Sequence, residues 1–243
     1  MLQTIMERRS TRKYNDKPVT EEQLADILEA GRCAPTGGNC QTVHFVVLMN
    51  AEIRENLRGL VQEAFLQMEL SDDQYASIQN SIKLSRRGNY AFDYHAPILV
   101  VVANRKGYPN AVADSACALQ NMMLEAESLG VGSCWINQLH WLDENPSIRE
   151  FLEPLGITAG ETICGALALG NYDEKQPVKP RTGMQVDYIV SASEKGMLPQ
   201  GTPFGCACPA ALDVRGTSAQ RGPKRSVDDE RDHNRALCGY DIR

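Results

Sequence analysis

Apolar residues between positions 20 and 170 fall into helical stripes separated by a few short unbroken runs. Thr20-Glu21-Glu22-Gln23 is a capping-box pattern, with Thr20 at the cap and Gln23 three residues later. Leu24, Ile27 and Leu28 form the stripe of the helix it starts, which has ended by Pro35. Phe45 to Met49 reads as a buried strand. Residues 51–69 carry the clearest stripe, with Ile53, Leu57, Leu60, Val61, Ala64, Phe65 and Met68 on one face. A weaker helical pattern surrounds Tyr75, Ile78 and Ile82, and Pro97 opens a second buried strand, Ile98 to Val102.

A long helix is predicted over about 112–129, with Val112, Leu119, Met122, Met123, Ala126 and Leu129 inward and Gly130 as its stop. Ser133 to Ile136 reads as a short strand. Asn145-Pro146 supplies cap and first turn for a small helix carrying Ile148, Phe151 and Leu152. Thr162 to Leu169 is a third core strand. Helices interleaved with a few strands, without a repeat, predict an α+β fold arranged as a three-layer α/β/α domain.

Composition sets the outer bounds. The chain has 243 residues, and residues 191–243 hold six Gly, four Pro and fifteen charged side chains with little apolar periodicity. Such a segment buries too little surface to offset its ordering entropy, so the expected division is a folded domain over 1–190 and a disordered tail over 191–243. Lys plus Arg is 25 against 31 for Asp plus Glu, a net charge of -6. That balance argues against nucleic acid or anionic membrane as a partner. The run from Pro97 to Ala103 is too short to span a bilayer. Glu7, Arg8, Arg9, Arg12 and Lys13 lack the apolar stretch of a secretory signal, so the expected location is cytoplasmic. Most of the eight cysteines are expected to be small buried hydrophobes, and the four histidines show no metal-ligand spacing.

Three clusters carry candidate chemistry. Arg8-Arg9-Ser10-Thr11-Arg12 places three guanidiniums and two hydroxyls within five residues, a donor set that suits a phosphate. The alternative is a solvated basic N-terminus. Ala34-Pro35-Thr36-Gly37-Gly38-Asn39-Cys40-Gln41 lets the backbone approach a ligand at its glycines and offers two amides to the pyrimidine edge of a base or flavin. The alternative is a plain helix-to-strand loop. Asp173 to Arg181 has two prolines that would hold Lys179 or Arg181 in one direction, or it is a surface connection. Leu129-Gly130-Val131-Gly132 follows a helix rather than a strand and lacks a third glycine, so no dinucleotide fingerprint is present.

In their order these clusters resemble the nitroreductase family of FMN-dependent oxidoreductases. The resemblance covers about residues 3–190 and runs from Glu7–Tyr14 through Ala34–Gln41 with His44-Phe45, Asp114–Gln120, Ser128-Leu129-Gly130, Cys134-Trp135-Ile136 and Gly165–Gly170 to Lys179-Pro180-Arg181. It implies a mostly antiparallel sheet flanked by helices and a domain-entwined homodimer with FMN at the interface. By resemblance, Arg8, Arg9, Ser10 and Arg12 contact the flavin phosphate, ribityl chain and pyrimidine side. Pro35, Thr36, Gly37, Asn39 and Gln41 form the second flavin loop. Trp135, Ile136 and Asn137 lay their backbone against the ring near N5, and Arg181, with Lys179, reaches the phosphate. The implied reaction is ping-pong: NADH or NADPH gives a hydride to flavin N5, and a small nitroaromatic, quinone or similar acceptor takes the electrons. No side chain is needed as nucleophile, and no metal is implied.

A cation near flavin N1 and O2, Arg12 or Arg8, would tune the ring. Where the family usually has Pro-Trp after Gln41, this chain has Thr42-Val43. That departure keeps open a non-catalytic flavin-binding module, and the resemblance itself also allows a different flavin chemistry, reductive dehalogenation or flavin modification. Tyr90, Phe92 and Tyr94 are either an aromatic lid or ordinary core.

Overall fold

Thr20 opens its helix as the spacing predicts. Its hydroxyl accepts from the Gln23 N–H at 3.1 Å, and the Gln23 side-chain carbonyl accepts from the Thr20 N–H at 3.0 Å, so both halves of the capping box form. The structure, a computed structural model, describes residues 1–178, Gln185, Tyr188–Ser191 and Glu194–Gly196. Lys179, Arg181, Cys206, Cys208 and Cys238 lie outside the described residues.

The helices are α1 (Leu2–Glu7), α2 (Glu21–Arg32), α3 (Ala51–Leu66), α4 (Ala76–Ser85), α5 (Ala111–Ser128), α6 (Gln138–Trp141) and α7 (Pro146–Leu152). The strands are β1 (His44–Leu48), β2 (Ile98–Arg105), β3 (Gly132–Ile136) and β4 (Glu161–Gly170), in the sheet order β1-β2-β4-β3 with every pairing antiparallel. A second unit contributes a hairpin of β5 (Tyr188–Ser191) and β6 (Glu194–Gly196), so β5 crosses residue 190 and β6 follows it. The expected tail is otherwise outside the described residues.

Period two in β2 makes the three layers. Leu99, Val101 and Ala103 meet Leu57, Val61 and Phe65 of α3 and Ile82 of α4 on one face of the sheet. Ile98, Val100 and Val102 meet Leu24 and Ile27 of α2 and Leu119 and Met122 of α5 on the other. Each such buried aliphatic or aromatic side chain contributes about 1.5–3 kcal/mol relative to its exposed state. This sheet, covered on both faces, is the α+β three-layer arrangement the pattern predicts.

The helical stripe of α5 differs from the prediction at one end. Ala111, Asp114, Ser115, Ala118, Leu119, Met122, Met123 and Ala126 are buried, and Val112, in the first turn of the helix, is 51% exposed although it stands three residues before Ser115 and seven before Leu119. Gly130 does stop the helix, with φ 71 and the Val131 N–H returning to the Ala126 carbonyl at 2.8 Å. The cysteine expectation also needs correction. Cys134 and Cys164 are buried, Cys33 and Cys117 are exposed, and Cys40 lies between. Cys117 sits on the face of α5 turned away from the sheet. The short helices α1 and α6 were not legible, since a single turn has no apolar period to read.

Glu161 ties the start of β4 to β1. One carboxylate oxygen accepts from the Thr158 N–H at 2.8 Å and its hydroxyl at 3.0 Å, and the other pairs with His44 Nδ1 at 2.9 Å. Burial works to raise the Glu161 pKa, but the Thr158 and His44 interactions outweigh it and hold the pKa below the usual carboxylate value. A carboxylate depressed on folding stabilises above its unfolded pKa of about 4.3, and the benefit fades as pH falls through the folded value. We therefore expect Glu161→Gln to flatten the loss of stability below about pH 4, measured by denaturant midpoints across pH. An unchanged acid limb would remove this pair from the balance.

Candidate functional site

The chain leaves α1 at Arg8 and runs along the outer edge of β3. Ser10 forms a parallel bridge with Ser133, and the Thr11 N–H donates to the Ser133 carbonyl at 2.9 Å. Gly132 lets the segment come that close, because a Cβ there would lie 2.8 Å from both Thr11 Cγ2 and Tyr172 Cδ1. The Tyr14 hydroxyl donates to the Thr11 carbonyl at 2.8 Å, and the Asn15 N–H donates to the Asn171 carbonyl at 2.8 Å.

This path collects cationic donors at one place. Arg9 Nη1 donates to the Arg8 carbonyl at 3.2 Å, while its Nε and Nη2 are buried with no partner among the described residues. A buried guanidinium edge with open donors fits an anionic oxygen such as a phosphate. The Arg12 Nε–H donates to the Tyr94 hydroxyl at 3.2 Å, its Nη1 donates to the Ser10 carbonyl at 3.4 Å, and its guanidinium lies 5.6 Å from the Tyr94 ring centroid. Burial works to lower the Arg12 pKa; the Tyr94 hydroxyl and nearby Cys134 more than offset it, so the cation is favoured. Burial pushes the Cys134 thiol pKa up despite Arg12, Ser10 and Arg8 beside it, which keeps it a neutral packing group.

Trp135, Ile136 and Asn137 continue the same edge. Backbone groups of an antiparallel strand alternate in direction, and Ser133 points its carbonyl outward to Thr11. Two residues on, the Trp135 backbone points outward as well. The Trp135 indole N–H donates to Asn137 Oδ1 at 2.7 Å, and the Ile136 side chain is in the core, leaving only its backbone for a ligand.

The 35–41 loop is built differently. Thr36 leads into a 3-10 turn over Gly37–Asn39, its side-chain oxygen accepts from the Gln41 N–H at 3.1 Å, and the Gln41 amide donates to Asn39 Oδ1 at 3.0 Å. Asn39 and Gln41 are both left-handed, with φ 53 and 51, and both are exposed along with Pro35. Held strain of this kind concentrates at functional segments. It is held by Asp114 on the first turn of α5, whose two oxygens each lie 3.1 Å from the Gly37 N–H, and by the Tyr108 hydroxyl at 3.0 Å from the Gly37 carbonyl. Thr42 and Val43 find local partners: Thr42 Oγ1 donates to buried Asn104 at 2.7 Å and Val43 packs against the α2/α5 layer.

Arg8–Arg12 and Trp135–Asn137 therefore share one edge, and the 35–41 loop does not join them. Ser133 sits in the row of Leu169 and Ile98, whereas the loop is fixed beyond Arg105, at the far end of β2. Ile98 to Arg105 spans about 20 Å at strand rise. Asp114 to Ser128 along α5 spans about 20 Å at helical rise. Asp93 and Tyr108 were not legible from the sequence as site-building residues; Tyr94 stood there as a lid-or-core aromatic, and Asp114 as the start of the Asp114–Gln120 stretch.

The aromatic alternatives are also resolved. Phe92 is buried, Tyr90 is buried with its hydroxyl 2.7 Å from Ser81 Oγ and 2.8 Å from Gln138 Nε2, and both belong to the core. Only Tyr94 reaches a candidate site residue.

Solved nitroreductases with bound FMN share this fold. A nitroreductase with bound FMN from Bacteroides fragilis has a TM-score of 0.67 and 36% identity, over 82% of this chain and 98% of that one. A sequence model of the Nitroreductase family matches residues 5–171, and the chain belongs to that family. Curated relatives include an NADPH-flavin oxidoreductase of Vibrio harveyi, 27% identical over 74% of this chain and 69% of its own. A 4-nitrobenzoate reductase of a Nocardioides species is 27% identical over 70% of this chain and 80% of its own.

Asp114→Ala leaves the Gly37 N–H without its acceptor, a change that costs about 1–3 kcal/mol. We expect lower stability and faster amide exchange at Gly37–Gln41 than in α2. Exchange in that loop as slow as in the parent would show that Asp114 does not hold it.

Proposed function

We propose that this chain is an NAD(P)H-dependent FMN oxidoreductase, acting as a homodimer in which each cofactor is held by both chains. The observation that carries the reading is the shared edge: open Arg9 donors, Arg12 and the outward Trp135 backbone lie along one strand. The matched family and an FMN-bound relative at 36% identity support the cofactor. The oxidoreductase activity of the Vibrio relative supports NADH or NADPH as reductant.

When bound, FMN supplies the hydride chemistry, accepting at N5 from NADH or NADPH and releasing electrons to a second substrate in a ping-pong cycle. Arg8, Arg9 and Ser10 hold the phosphate and ribityl chain. Arg12 faces the pyrimidine side, where its fixed positive charge favours the extra negative charge of the reduced ring. Trp135, Ile136 and Asn137 present backbone to the ring near N5. Pro35, Thr36, Gly37, Asn39 and Gln41 approach the cofactor from the second chain, since in their own chain they sit about 20 Å from the first set.

Exposed apolar surface supports the dimer. Leu2, Ile5 and Met6 of α1, which packs on α5, are exposed, as are Val112 and Cys117 of α5. An apolar face of this kind is a surface for a second copy. The acceptor is a small nitroaromatic, quinone or similar molecule, a reading supported by the 4-nitrobenzoate reductase relative. Among the described residues no helix is long and apolar enough to cross a membrane. We assign the flavin-binding role to residues 1–190 and none to 191–243.

Two measurements check this reading. Purified protein is expected to show flavin absorption that bleaches on adding NADPH or NADH under nitrogen. Bands that persist with both would leave a binding module instead. Replacing Arg8 and Arg12 together with Ala is expected to weaken FMN binding by several kcal/mol, since each charge-assisted bond contributes about 1.5–3 kcal/mol. Unchanged flavin content in that variant would remove the assignment of the phosphate and pyrimidine contacts.

A further inference from the structure

The turn before β2 contains an ion pair that the proposed chemistry does not use. Asp93 is fully buried, and its Oδ1 accepts from Arg58 Nε at 2.8 Å and from the His95 N–H at 3.2 Å. Arg58 is itself largely buried and also pairs with Glu55. Arg54 lies in the same α3 neighbourhood, 8% exposed, with its Nη1 donating to the Leu48 carbonyl at 3.4 Å. Directly after Asp93, Tyr94 and His95 both adopt left-handed backbone, each with φ 56. Two bulky non-glycine residues in that region persist only where their surroundings fix them. Here the fixing groups are the Asp93 carboxylate below, the Tyr94 N–H to Ala91 carbonyl bond at 3.1 Å, and the Ala96 N–H to Asp93 carbonyl bond at 3.1 Å.

The outcome of that turn is the direction of Tyr94. It carries its ring and hydroxyl to Arg12, 82 residues earlier in the chain, where the hydroxyl occupies Nε and the ring lies beneath the guanidinium. With Nη1 engaged by the Ser10 carbonyl, two edges of the fork are occupied, and Nη2 has no protein partner among the described residues. We propose that Tyr94 is a positioning residue for Arg12: the Arg58–Asp93 pair locks the strained turn, and the turn fixes which N–H edge of Arg12 meets the cofactor. This rests on the assignment of Arg12 to the flavin pyrimidine side. Because a guanidinium recognises acceptors through a planar fork, rotating it by one N–H changes what it meets while leaving its charge in place. Tyr94 therefore governs how strongly the site prefers reduced over oxidised FMN more than it governs whether FMN binds.

The test uses the full chain loaded with FMN, reading affinity for oxidised FMN and the two-electron midpoint potential against a reference dye. Tyr94→Phe keeps the ring and removes the acceptor of the Arg12 Nε–H. It is expected to bind oxidised FMN with near parental affinity but prefer the reduced form about tenfold less, a midpoint lower by about 30 mV for a two-electron couple. Asp93→Asn is expected to shift the potential in the same direction; if that variant does not fold, Tyr94→Phe decides alone. A parental potential in Tyr94→Phe, with Arg12→Ala shifted, overturns the positioning role and leaves the Arg12 assignment standing. Unchanged affinity and potential in Arg12→Ala overturns both.

Discussion

The hydrogen-bonded ladder between β2 and β4 fixes the distance on which the site depends. It pairs Ile98 with Leu169 at one end and Arg105 with Glu161 at the other. Both faces of β2 are packed, by α3 and α4 on one side and α2 and α5 on the other, and the ladder keeps its pairing from end to end apart from one bulge, where Cys164 is the extra residue opposite Val102 and Ala103. Arg8–Arg12 are bound to the first end through Ser133, and the 35–41 loop to the second through Asp114. About 20 Å of strand lies between those two ends. Under the proposed function a second copy brings its own loop to the flavin held at the first end.

At each end a strained turn is held by an acidic side chain that is itself buried. Asp114 receives the Gly37 N–H and the Tyr108 hydroxyl, and the loop above it carries left-handed Asn39 and Gln41. Asp93 receives Arg58 and the His95 N–H, and the turn above it carries left-handed Tyr94 and His95. In both places a carboxylate with several donors offsets backbone strain and leaves an exposed polar group aimed outward: Gln41 in one, the Tyr94 hydroxyl in the other. Each carboxylate acts through the residues above it.

Local signals made most of the fold legible. The Thr20 capping box, the 51–69 stripe, the Asn145-Pro146 start and the unbroken Ile98–Val102 run each reflect forces acting within a few residues, and each element forms where it is expected. Val112 stands at helical spacing from the buried stripe but in the first turn of α5, where it is exposed. The candidate site was legible as motifs and not as geometry. Composition marks Arg8–Arg12 as a phosphate-binding set, yet nothing local shows that it joins Trp135 and not Gln41. That depends on the Ser10–Ser133 bridge, a contact between distant segments. Asp93 was invisible for the same reason, and Tyr94 was visible only as a lid-or-core aromatic, since their roles exist only once Arg58 and Arg12 are folded against them.

Complementation between two defective chains tests the shared site most directly. One parent carries Arg12→Ala and the other Asp114→Ala, each lowering FMN retention by itself. After denaturation, mixing and refolding, half of the dimers are mixed, and each of those contains one site with both sets intact. The result expected is recovery of FMN in about a quarter of the parental number of sites. Recovery no greater than the sum of the two separate variants would contradict a cofactor held between two chains.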